Sequence, residues 1–128
     1  RFPPLKVREV EHVIRRQADV QTRPYCHAAE GRAAAVTPDG DLYACASLAG
    51  SDAFHAGTIW EPDIEKLSAL VPAQLYLAGC ADCALRVICR GGCPSRRVTY
   101  TGNVLGRCDL ECHLRREIYR RVMQHETH

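Results

Sequence analysis

Cys80-Ala-Asp-Cys83-Ala-Leu-Arg-Val-Ile-Cys89-Arg-Gly-Gly-Cys93-Pro94 holds four of the eight cysteines in the chain. A cage of soft, negatively charged thiolates is what iron–sulfur clusters and structural zinc require, with four ligands at each site. The stretch therefore reads as a metal site. An even cysteine count in a short chain also fits a disulfide framework. Cysteines two or three residues apart, however, make strained disulfides and easy chelates. Metal ligation in the cytosol is the expectation, with disulfides as the competing reading.

Working outward, Cys93-Pro94 has the form of the bacterial ferredoxin run, in which the last cysteine, followed by proline, ligates the other cluster. A second ligand set should then lie elsewhere. Cys26, Cys45, Cys108 and Cys112 supply it, and eight thiolates make two sites of four.

At 128 residues the chain is one domain or a lobe of a larger protein. Its hydrophobic fraction of 46% includes only two Phe, one Trp and one Met, so large core side chains are few. Metal ligation would offset that shortage by tying distant loops together. No signal peptide is visible, because Arg1-Phe2-Pro3-Pro4 leads into a charged amphipathic stretch. The most apolar window, Leu67 to Ala81, is broken by Pro72 and Gln74, so no membrane partner is expected. A formal charge of +2 gives no argument for nucleic acid. Residues 80–128 nevertheless hold nine Arg against five acidic residues. A tetrathiolate [4Fe-4S] site carries about −2, so two of them give those arginines an internal task.

Residues 5–17 place Val10, Val13 and Ile14 on one helical face. With the chain starting at Arg1 and not at Met, residues 1–24 read as a helix and polar linker, the tail of a preceding domain. Ala33 to Val36 and Leu42 to Cys45 flank Thr37-Pro38-Asp39-Gly40-Asp41, a turn sequence that predicts a β-hairpin delivering Cys45 close to Cys26. Glu61-Pro62 opens a helix over Asp63 to Leu70, and a short helix over Ala73 to Ala78 leads into Cys80. Asp109 is placed as N-cap of a last helix reaching His125, with Leu114, Ile118, Tyr119 and Val122 inside. Residues 126–128 are a fraying terminus. The expected fold is a small α+β domain stabilised by metal clusters, with a β-hairpin, several short helices and a C-terminal helix around two Fe–S sites.

Cys26, Gly40, Cys45, the Cys80-Cys83-Cys89-Cys93 run and a late cysteine together resemble the seven-cysteine signature of the SPASM domain. Thr37-Pro-Asp-Gly-Asp-Leu-Tyr-Ala-Cys45 is similar to that family's hairpin, and Ala56-Gly-Thr-Ile59 to the turn after it. The resemblance covers residues 25–125. It implies an auxiliary domain of a radical S-adenosylmethionine enzyme that modifies a peptide or protein, carrying two [4Fe-4S] clusters for electron transfer or substrate positioning. The family pattern implies Cys26, Cys45 and Cys93 on the first cluster, and Cys80, Cys83, Cys89 and the late cysteine on the second. Cys112, leading into a helix, fits the late position. Cys108 is assigned as fourth ligand of the first cluster, and exchange of Cys108 with Cys112 stays open. The implied partners are a radical S-adenosylmethionine catalytic domain, in cis or in trans, and a peptide or protein substrate.

The Cys-x3-Cys-x2-Cys loop that such chemistry requires does not occur in this sequence, so S-adenosylmethionine belongs to a missing catalytic domain and no catalytic residue is assigned. Two other classes fit the cysteines: a freestanding Fe–S electron carrier or scaffold acting in trans, and a zinc-binding structural module. His27 reads as an exposed neighbour of a ligand. Gly91-Gly92 lets backbone pass close to a bound group. Arg115, Arg116, Arg120 and Arg121 read as a solvated helix face, or else as contacts to an acidic peptide or the catalytic domain. Trp60 and Tyr43 read as core.

Overall fold

The computed structural model describes residues 5–18, 24–72 and 80–126. Helix α1, Arg8–Ala18, has Glu9 and Glu11 in its first turn and Arg15 and Arg16 in its last, which suits the helix dipole at both ends. Val13 is its buried residue, Val10 is half-buried, and Ile14 is 46% exposed. The helix expected over Ala73 to Ala78 lies outside the described residues.

Strands β1 (Ala35–Val36) and β2 (Asp41–Tyr43) form the expected hairpin, with Ala35 opposite Tyr43 and Val36 opposite Leu42. Thr37 closes the turn twice. Its N–H donates to Asp41 O at 3.0 Å, and its hydroxyl accepts from Asp41 N at 3.1 Å. Where a turn was expected at Ala56 to Ile59, a third strand, β3 (His55–Thr58), pairs antiparallel with β2. The sheet is a meander in the order β1-β2-β3.

Between β2 and β3 run two 3₁₀ turns, Ala46–Leu48 and Asp52–Phe54, which drop Leu48 and Phe54 into the core. There they join Ala28, Ala44 and Leu70, and Cys26, Cys45, Val98 and Val104 pack against the cluster. Helix α2, Ile64–Leu67, is shorter than Asp63 to Leu70. Asp63 Oδ1 caps it by accepting from Lys66 N at 3.0 Å, and Asp63 N donates to Ala56 O at 2.9 Å, so the cap is pinned to β3. Ser68 N–H is shared between Ile64 O and Glu65 O, and the chain then tightens into turns that seat Leu70.

The cysteine run folds around a one-turn helix, α3 (Arg86–Cys89), followed by α4 (Pro94–Thr101) and α5 (Asp109–Glu126). No helix was anticipated over α4, whose Val98, Thr99 and Thr101 are weak helix formers. Its ends carry the signals: Pro94 in the first turn, and Gly102 at φ 73° with its N–H on Val98 O at 2.8 Å. Helix α5 starts at Asp109, with the Cys108 carbonyl accepting from Cys112 N at 3.0 Å. Cys108, one residue earlier than expected, therefore holds the N-cap position.

The inner face of α5 also differs from expectation. Leu114 is 40% exposed, whereas Glu111, Arg115 and Val122 are buried. Tyr43 is core as expected, but Trp60 is 74% exposed and lies over Gly40.

Helix α1 packs on α5 and on α3. Gln17 Nε2 meets Met123 Sδ at 2.6 Å, and His12 stacks on Tyr25 with ring centroids 5.0 Å apart while hydrogen bonding to the Ile88 backbone. Burial, with Arg115, Arg16 and Arg8 nearby, lowers the His12 pKa from 6.5 to about 4.

Two predictions follow from these contacts. A Cβ on Gly57, at φ 77°, would lie 2.2 Å from Glu61 O, whereas one on Gly50, at φ 85°, would meet nothing within 4 Å. Gly57→Ala should cost about 2–4 kcal/mol in urea unfolding, and Gly50→Ala only about 1 kcal/mol for its backbone conformation. The second concerns pH. Because the folded pKa of His12 is depressed, the unfolded chain takes up this proton first, and stability falls as pH drops from 6.5 towards 4. His12→Gln should flatten the pH dependence of the urea midpoint inside that window and leave it unchanged above it.

Candidate metal centre

Cys80, Cys83, Cys89, Cys108 and Cys112 line one cavity of about 30 Å³. Cys80 and Cys83 come from the segment before the one-turn helix α3, Cys89 is its last residue, and Cys112 lies in the first turn of α5; these four are the set expected at the second site. Cys108, expected at the first, stands on the same wall and is buried. The eight thiols are all unbridged.

The backbone between Cys89 and Cys93 is built for close approach. Arg90, Gly91 and Gly92 have φ of 51°, 85° and 74°, three left-handed residues in succession. That reversal turns the Gly91 N–H onto the Cys89 sulfur, while the Gly91 carbonyl accepts from Arg97 Nε at 2.7 Å. A Cβ on Gly92 would press on Glu111 Cγ at 3.1 Å, so glycine also lets α5 come near.

Three arginines address the thiols. Arg97 Nη2 lies 3.8 Å from Cys80 Sγ, Arg107 hydrogen bonds to Cys112, and Arg115 acts electrostatically on Cys89. Burial pushes the Cys89 thiol up to about 11, with Cys112 and Cys80 adding to the effect and Arg115 and the Gly91 N–H opposing it. Without metal, Cys89 is a neutral thiol at pH 7, and ligation must release its proton.

Behind the cavity lies a buried polar network. Glu111 Oε1 accepts from Arg115 Nε at 3.0 Å and Nη2 at 2.9 Å, and Glu111 Oε2 accepts from Arg96 Nη1 at 2.8 Å. Burial works against the Glu111 carboxylate, but the two guanidiniums outweigh it and hold its pKa below the usual range. Arg115 Nη2 also donates to the Tyr25 hydroxyl, and its guanidinium carbon lies 4.9 Å from the centroid of that ring. Arg115 was expected on a solvated helix face or in contact with a partner, and is instead buried, while Glu111 was not singled out in the sequence. Their spacing with Val122 along one stripe was the available signal. Arg120 and Arg121, in contrast, do pair with Glu117 at the surface.

The remaining thiols are placed as follows. Cys26 and Cys45 both pack against the core cluster of Ala28, Ala44, Leu48, Phe54 and Leu70. Cys93 is the N-cap residue of α4, with its Sγ 3.1 Å from Ser95 Oγ, and it acts on Tyr25, the neighbour of Cys26. His27 has an 82% exposed side chain and pairs with Glu30 at 3.3 Å.

Among the described residues, no three Cys, His, Asp or Glu side chains are gathered tightly enough to hold a metal ion as they stand. The donor chemistry still fits a soft metal. The cavity carries five thiols, its one carboxylate is committed to two guanidiniums, and Arg115 Nη1 is buried without a hydrogen-bond acceptor. That donor lacks an acceptor on the cavity side. Room is the restriction, since about 30 Å³ admits a water or a single ion. A four-iron cube would need the 80–93 loop to stand further from α5.

No protein-family model, curated protein or solved structure matches this chain.

Proposed function

We propose that this chain is a thiolate-rich module that binds iron–sulfur clusters, acting as the auxiliary domain of a radical S-adenosylmethionine enzyme that modifies a peptide or protein in the cytoplasm. The observation that carries the metal-binding part is the convergence of five thiols on one cavity whose wall also holds Arg97 and Arg115. The resemblance of the cysteine order and the hairpin to the SPASM pattern supports the rest.

In this reading Cys80, Cys83, Cys89 and Cys112 hold one cluster and Cys26, Cys45, Cys93 and Cys108 the other. The place of Cys108 on the cavity wall supports the exchanged assignment equally. The clusters would supply one-electron chemistry. The residues of the chain supply soft ligands, guanidiniums that offset the charge, and a left-handed loop that brings an amide N–H to sulfur. With no Cys-x3-Cys-x2-Cys loop in the sequence, cleavage of S-adenosylmethionine falls to a separate catalytic domain. Among the described residues no helix is long and apolar enough to cross a membrane. The small cavity favours a second reading, a single zinc ion in a structural module.

Anaerobic reconstitution with iron and sulfide decides between them. Two clusters should give about eight iron and eight sulfide per chain with a brown absorption shoulder near ~400 nm. Colourless protein that retains zinc through purification and excludes iron would establish the second reading. Within the cluster reading, Cys112→Ala should lower cluster content and loosen α5, whereas Cys108→Ala should spare the helix and open one iron to an added thiol, read by electron paramagnetic resonance. The reverse pattern would exchange the two ligands.

A further inference from the structure

Arg115 has more donors than the protein uses. Its side chain is 3% exposed, so each N–H must find an acceptor inside the fold. Nε and Nη2 are spent on Glu111 and the Tyr25 hydroxyl. Nη1 is buried with no acceptor, and the residue lines the same cavity as five thiols.

Charge on the cavity wall points the same way. Four arginines, Arg86, Arg97, Arg115 and Arg116, line it against one carboxylate, Glu111, which Arg96 also holds. Arg97 and Arg115 are buried there. A buried cation costs several kcal/mol unless enough that is anionic faces it. The side chain is also held in place: Glu111 fixes two nitrogens of the planar fork and the Tyr25 ring covers its face, which sets the direction of Nη1.

We propose that Arg115 is a positioning residue of the thiol-lined cavity: its free Nη1 donates to the anionic thiolate–metal group bound there, and its charge stabilises the more negative redox state. This rests on the cavity being a metal site, and it adds the residue that tunes it. Donors to cluster sulfur and nearby positive charge favour reduction.

The test compares anaerobically reconstituted wild type with Arg115→Met, Arg115→Lys and the double variant Glu111→Gln/Arg115→Met. The double variant removes the carboxylate together with its partner, so that no uncompensated Glu111 charge unfolds the chain. Iron content, reduction potential and the electron paramagnetic resonance spectrum of the reduced protein are the readouts.

The expected result is that the folded double variant retains iron but is harder to reduce. Its one-electron equilibrium should shift at least tenfold against reduction, which is 59 mV. Arg115→Lys, which keeps the charge, should recover part of that shift. A double variant that retains its clusters with unchanged potential and spectrum would overturn the inference, as would a shift that Arg115→Lys does not reduce at all. Failure of wild type itself to bind iron would instead sink the cluster reading, a result visible before any variant is made.

Discussion

The Glu111 carboxylate is the point at which the C-terminal half is held. One oxygen takes two nitrogens of Arg115 on its own helix, and the other takes Arg96 from α4. Arg96 in turn approaches Glu9 of α1, and Arg115 reaches Tyr25 at the entrance to the sheet subdomain. Helices α4 and α5 thus meet on this side chain directly, and α1 and the Tyr25 segment join it through the two arginines. Such a centre is worth little as a net ion pair, because desolvation consumes most of the attraction. Its value is directional, since a planar fork on a carboxylate allows few alternative arrangements of α4 against α5.

Around that centre the protein is thinly built. The apolar cluster among the described residues has five buried members, two of them the alanines Ala28 and Ala44, and the strands are two to four residues long. Ladder bonds from strands this short contribute little alone. The sheet is instead clamped by side-chain and cap bonds: Thr37 across the hairpin, His55 to Asp41 at 2.8 Å, and Asp63 to Ala56 at 2.9 Å. A chain of this kind has reason to recruit metal for stability, which agrees with its shortage of large apolar residues.

The hairpin, the α2 cap region and the two terminal helices were legible because each is announced locally, by Pro-Asp-Gly, by Pro-Asp, or by apolar spacing and charge at the ends. Strand β3 and helix α4 were not. His55-Ala-Gly-Thr58 has no alternation strong enough to mark a strand, and only its pairing with β2 makes it one. In α4 the weak propensity of Val98, Thr99 and Thr101 concealed the Pro94 and Gly102 boundaries. The resemblance to the SPASM pattern implied Cys80, Cys83, Cys89 and Cys112 as one set, and the cavity holds these four together with Cys108, which was expected at the other site. An internal task for the arginines was expected from cluster charge, but not which of them turn inward: Arg97 and Arg115 do, whereas Arg120 and Arg121 pair with Glu117 at the surface. Trp60 failed in the opposite sense: a large indole normally belongs inside, but here it covers the bare backbone of Gly40 from the solvent side.

The packing of α1 on α5 also sets a schedule. Chains emerge from the ribosome at about 5–20 residues per second, and N-terminal elements collapse first. The hairpin can close as soon as β2 appears. The thiol cavity cannot, because Cys108, Cys112 and Arg115 sit on the last helix, and the Gln17 and Met123 side chains that join the two helices are 106 residues apart. During synthesis α1 can meet α3 but not α5, and Cys80, Cys83 and Cys89 lack the wall that Cys108 and Cys112 supply. The five-thiol cavity is therefore complete only once α5 has been made.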